Sequence, residues 1–149
     1  MTMTPILKQR TTAHLLLVRR ITDTVQILDM SSLDKTWERC AQYIEAALEY
    51  AHDSHSLADV RQSVDEGTAQ FFPLEKSAIV TEIVDYPNRS VCRIWLAGGD
   101  MDELLEGEKI VSDWAKSLGC HGIEIIGRKG WQKVLKEYEP TSIVLVKEL

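Results

Sequence analysis

The chain has 149 residues, and its 44 % hydrophobic and 27 % charged residues form an ordinary globular mixture, enough for one domain with its own core. A formal net charge of -6 argues against a generic nucleic-acid footprint and leaves room only for a local basic patch. Cys40, Cys92 and Cys120 have no metal-motif spacing and outline no disulfide framework, so free thiols in a reducing compartment are expected. Taken in order, Met1–Thr12 is polar and reads as a loose or partner-docked arm. His14–Arg20 and Thr24–Met30 read as two strands; the apolar run HLLLV is too short to cross a bilayer, and no signal peptide is visible.

Ser31 and Asp34 have capping-box spacing, and Leu33, Trp37, Cys40, Ala41, Ile44, Leu48 and Ala51 follow as an apolar stripe, which predicts a helix over Ser32–Ala51. Ser56 and Asp59 repeat that box before Leu57, Val60 and Val64, predicting a shorter helix that ends at Gly67. Together the two helices would cover one face of a sheet. Ala69–Phe72, Ser77–Val84 and Val91–Leu96 read as three strands of an antiparallel meander, with Pro87-Asn88-Arg89 at the second turn. A helix over Asp102–Leu118 then leads to a strand at Ile123–Ile126, a crossover that favours parallel pairing with Val91–Leu96. A short helix from Lys129 to Tyr138, ended by Pro140, precedes a last strand, Ser142–Lys147. One α+β (mixed α/β) domain over residues 1–149 is expected.

Several stretches could carry chemistry. Gly98-Gly99-Asp100 joins a strand to a helix N-terminus, where backbone N–H groups can cradle an anion; a capped structural turn is the other reading. Gly127-Arg128-Lys129-Gly130-Trp131 lies at the end of a predicted parallel strand. Arg128, Lys129 and Lys133 could grip an acidic group there, with Trp131 as an interface anchor, or the stretch could be a solvated basic turn. Glu124 sits among apolar residues and could point into a cleft as a base or face water. His52 and His55 read as solvated loop residues, and Cys120-His121 need not face each other. Neither Asp102-Glu103 nor Glu106-Glu108 presents a defined general acid and base. No metal site is expected.

The order of elements, with the stretches VCRIWLAGGD, DWAKSLGC, GIEIIGR, GWQKVLKEYEP and SIVLVKEL, resembles the GCN5-related N-acetyltransferase fold, and also small bacteriophage proteins of that fold. The resemblance implies a central mixed sheet flanked by helices. In that family, an Arg or Gln followed by glycines at the strand-to-helix turn holds the acetyl-CoA pyrophosphate. Here the corresponding Gly98–Gly107 lacks the basic residue and carries Asp100, Asp102, Glu103 and Glu106. The family also often places a tyrosine general acid in the later short helix, near which Tyr138 lies.

The expectation is therefore a phage-encoded, non-catalytic protein that binds no cofactor. It would act by protein–protein contact with phage structural proteins or itself, away from membranes and nucleic acid, and be made in the host cytoplasm with the virion as a destination. The first alternative is an active N-acetyltransferase using acetyl-CoA, with Glu124 as base, Tyr138 as acid and Gly98, Gly99 and Asp100 at the cofactor. The second is a host-factor binding protein.

Overall fold

The computed structural model describes residues 30–149. Helix α1 spans Met30–Leu48 and buries Trp37, Cys40 and Ile44 along one stripe. It stops short of the predicted end because Tyr50 and Ala51 close turns onto the carbonyls of Ala47 and Leu48. Met30 already belongs to this helix. The rest of the predicted strand Thr24–Met30, the strand His14–Arg20 and the arm Met1–Thr12 lie outside the described residues. Helix α2, Leu57–Asp65, has the predicted capping box: Ser56 Oγ accepts from the Asp59 N–H at 3.2 Å, and Asp59 Oδ2 accepts from the Ser56 N–H at 2.7 Å.

Four strands follow: β1 at Ala69–Pro73, β2 at Ser77–Tyr86, β3 at Arg89–Gly99 and β4 at Gly122–Ile125. They lie in sequence order, antiparallel from β1 to β3 and parallel between β3 and β4. Helix α3, Met101–Ser117, makes the long connection that the parallel pair requires. This is the mixed sheet flanked by helices that the sequence led us to expect.

Successive residues on a strand face opposite ways, so the apolar runs fill two cores. Phe71 and Val80 join Trp37, Cys40, Ile44 and Val60 on the α1/α2 side. Phe72, Ile79, Cys92 and Ile94 join Leu104, Val111 and Trp114 on the α3 side. Leu96 breaks the parity of Cys92 and Ile94, because Val80 pairs with Leu96 while the next residue, Thr81, pairs with Ile94. Trp95 is the extra residue of a β-bulge, and it packs with Leu96 on the α1 side.

The glycines predicted to end β3 instead prolong it. Gly98 and Gly99 pair with Ala78 and Ser77. A Cβ on Gly98 would stand 2.1 Å from the Tyr43 carbonyl oxygen, so α1 rests directly on the strand backbone. Asp100 Oδ1 then accepts from the Glu103 N–H at 2.9 Å. The Glu103 carboxylate takes the Lys76 N–H at 2.9 Å and the Ser77 hydroxyl at 2.6 Å, tying α3 to the β1–β2 turn.

The last part of the chain departs from expectation. Helix α4 covers only Trp131–Val134, because Leu135, at φ −93° and ψ 81°, leaves the helix. Ser142–Lys147 forms no strand, and every residue from Glu139 onward is exposed. Among the described residues, no helix is long and apolar enough to cross a membrane.

Candidate active site in the cleft between β3 and β4

Strands β3 and β4 pair only from Val91–Gly122 to Ile94–Ile125. At the next residue β3 bulges and runs on with β2 to Gly99, while β4 ends and the chain turns away. The two strands therefore part at Trp95. A cavity of about 390 Å³ opens there, reached by side chains from α1, the α1–α2 loop, β2, β3, α3 and the β4–α4 turn. Beyond Ile94, β3 has no neighbour on this edge among the described residues. In an antiparallel pair alternate residues turn their N–H and C=O away from the partner, so the Trp95–Gly99 stretch directs some of these groups into the cleft.

One wall is aromatic. His55 meets Trp95 edge to face, with ring centroids 4.8 Å apart. Arg128 bridges the mouth, its guanidinium 3.9 Å from the centre of the Tyr50 ring. Gly127 lets Trp131 fold inward, since a Cβ there would lie 3.1 Å from the Trp131 ring.

The polar groups form two sets. On the α1 face, Arg93 binds Glu124 at 2.6 Å and reaches Glu82 at 3.8 Å across three adjacent strands. On the α3 face, Glu108 lines the cleft, and its Oε1 accepts from the Tyr138 hydroxyl at 2.8 Å and the Ser112 hydroxyl at 2.6 Å. Burial first, and then the bond to Glu108, push the Tyr138 phenol far above its ordinary value, so it stays protonated.

The residues singled out from sequence thus fall in separate places. Glu124 is half-buried in the Arg93 pair, and Tyr138 stands behind Glu108. Gly98 and Gly99 lie tight against α1 and β2, and Asp100 caps α3. Arg128 and Trp131 line the cleft, while Lys129 and Lys133 are exposed.

Of the histidines, His52 and His55, expected in a solvated loop, reach the cleft. His121 Nδ1 accepts from the Ser90 N–H at 3.1 Å, which ties this ring to the start of β3. His14 lies outside the described residues. Cys92 is buried, and burial, then its neighbour Cys120, push its thiol up to about 12. Among the described residues, no group of three His, Cys, Asp or Glu could hold a metal ion.

Glu82, Arg93, Trp95 and Glu108 were missed as site residues. Glu108 had a readable signal: it lies four residues after Leu104 and three before Val111, so it interrupts the buried stripe of α3.

No family model matches the chain, and no curated protein matches it. Among solved structures it is similar to TTHA1254 of Thermus thermophilus, at 13% identity and TM-score 0.53, over 78% of this chain and 92% of that one. It is similar to the BH1408 protein of Bacillus halodurans, at 13% identity and TM-score 0.52, over 77% and 95%. It is also similar to an aminoglycoside acetyltransferase from an uncultured soil metagenomic sample, at 12% identity and TM-score 0.53, over 77% and 89%. None of these three is described as a phage protein. These likenesses overturn the expectation of a non-catalytic phage or virion structural protein that binds no cofactor. The chain has the fold of the GCN5-related N-acetyltransferases.

Proposed function

We propose that the chain is an N-acyltransferase that moves an acetyl group from acetyl-CoA to an amine. The observation that carries this reading is the parting of β3 and β4 at Trp95. It sets an open strand edge beside a cleft that holds one hydroxyl-braced carboxylate, Glu108.

The site fits the acyl-bearing arm of the donor. Pantetheine carries two amides, and an extended arm can add to a free strand edge as a peptide does. The strand–helix turn offers less. Of the orphan N–H groups at the start of α3, Asp100 takes that of Glu103, leaving those of Met101 and Asp102 for a phosphate. No basic side chain lies in the Gly98–Gly107 stretch. The arm therefore supplies most of the hold on the donor, with Gly98, Gly99 and Asp100 flanking its diphosphate.

When bound, the donor supplies an activated thioester carbonyl. The β3 edge at the bulge presents an N–H to the carbonyl oxygen and stabilises the negative charge that grows there. Glu108 accepts the proton that the attacking amine releases as the C–N bond forms. As the C–S bond breaks, Glu108 returns that proton to the departing sulfur. Tyr138 and Ser112 act by position: both donate to Oε1 and fix the plane of the carboxylate. Glu124 is engaged with Arg93, so we assign the base to Glu108 and to Glu124 the ordering of the opposite wall. Arg128 and Trp131 shape the mouth.

The test is release of free CoA thiol from acetyl-CoA against a panel of primary amines, with Glu108→Gln as comparison. Amine-dependent release that the variant loses supports the reading. Release at the same rate from the variant removes Glu108 from it, and no release with any amine counts against N-acyl transfer.

A further inference from the structure

Ile143, Val144, Leu145 and Val146 stand in water with relative exposures of 85%, 65%, 90% and 66%. A monomer in water rarely leaves four consecutive large apolar side chains uncovered. A continuous apolar run rich in β-branched residues is the pattern of a strand covered on both faces. Yet no hydrogen bond among the described residues reaches Ser142–Lys147. The sheet has the matching feature. β4 pairs with β3 on one side, and among the described residues no strand pairs with its other side. That edge lacks the charges and prolines that usually guard an open edge: its one charged residue, Glu124, is bound to Arg93, and Ile126 at its end is 57% exposed.

We propose that Ser142–Lys147 is a donor strand that pairs with the open edge of β4 in a second copy of the chain, and that the exchange is reciprocal. Each copy carries the same donor and the same acceptor, so the exchange closes with two-fold symmetry. In the single chain the segment does not pair with its own β4. Tyr138 is anchored on Glu108 of α3, Pro140 follows, and from Glu139 onward the chain runs into solvent. In the exchanged pair the ladder satisfies the open edge of β4 and one side of the donor strand, and the apolar run and Ile126 lose exposure. This dimer does not depend on the acyl-transfer reading.

The experiment is sedimentation velocity of the full chain over a range of concentrations, with hydrogen exchange read on Ile123–Ile126 and Ile143–Val146. The comparison is Leu145→Pro, which removes a backbone donor and disfavours a ladder at a position that is 90% exposed in the single chain. Expected are a dimer, slow exchange in both segments, and a variant with unchanged far-ultraviolet circular dichroism whose dimer is weakened by about a hundredfold or more. A dimer that Leu145→Pro leaves intact overturns the proposal. So does a monomer at every concentration: fast exchange at Ile143–Val146 then means an uncovered tail, and slow exchange means that the segment folds onto its own chain.

Discussion

The hydroxyl of Tyr138 donates to Glu108 Oε1 at 2.8 Å, across the packing of the post-α4 turn on α3. This bond joins the part of the chain with the least regular structure to the carboxylate that faces the cleft. It requires the two variants to fail differently. Glu108→Gln removes the proton acceptor and should lower kcat by about 10²–10⁴-fold with little change in the KM for acetyl-CoA. Tyr138→Phe keeps the acceptor and loosens its plane, so its kcat should fall about tenfold, given what one hydrogen bond to a charged group contributes. Steady-state thiol-release kinetics on both variants check the order.

Tyr138 also sets a pH dependence. Its folded-state pKa is raised above the ordinary value of about 10, by burial and by Glu108. The folded protein therefore holds this proton more tightly than the unfolded chain does. The resulting stability is fully present below pH 10 and is lost as pH rises from there towards the folded value. Urea unfolding of the native chain should weaken more steeply above pH 10 than that of Tyr138→Phe.

Glu124 and Glu108 offer a choice that mutation decides. Glu124 is held by Arg93 at 2.6 Å, with both side chains partly exposed, a pair that contributes about 1 kcal/mol or less. Glu124→Gln should leave kcat within a few-fold of the native value, and a loss as large as that of Glu108→Gln would move the base to the α1 face. The same rate assay reads both.

Two glycines should fail for different reasons. Gly98→Ala drives a methyl to 2.1 Å from the Tyr43 carbonyl oxygen, so α1 must lift off the sheet. We expect a loss of roughly 3 kcal/mol or more, the upper range for forced overpacking. Gly119 has φ +80° and nothing within 4 Å of the added Cβ, so Gly119→Ala costs about 1–2 kcal/mol from backbone strain alone. Thermal melts of the two variants separate clash from strain.

Local patterns made much of the fold legible. The stripe through Trp37, Cys40 and Ile44 marks α1, the Ser56–Asp59 box marks the start of α2, and the strand–helix–strand run marks the parallel crossover. The bulge at Trp95 was not legible. VCRIWL is nearly all apolar, so nothing in it shows where the alternation slips by one residue, and that slip opens the cleft. Glu82 and Arg93 meet across the β2–β3 hairpin, a pairing that the register of the two strands decides. The glycines at 98 and 99 read as a capped turn or an anion cradle, and their close contact with Tyr43 and Ser77 depends on long-range packing that the local sequence does not show. Ser142–Lys147 has the composition of a strand, but pairing depends on a partner edge that composition does not supply.

Calorimetric titration of acetyl-CoA into the purified chain tests the central claim most directly. The comparison is Ala51→Trp, which fills the cleft from the α1–α2 loop. The account predicts saturable binding with a dissociation constant between about 1 μM and 1 mM, the usual range for enzyme substrates, and loss of that binding in the folded variant. No heat up to millimolar acetyl-CoA from a folded sample, or equal binding by Ala51→Trp, would contradict it.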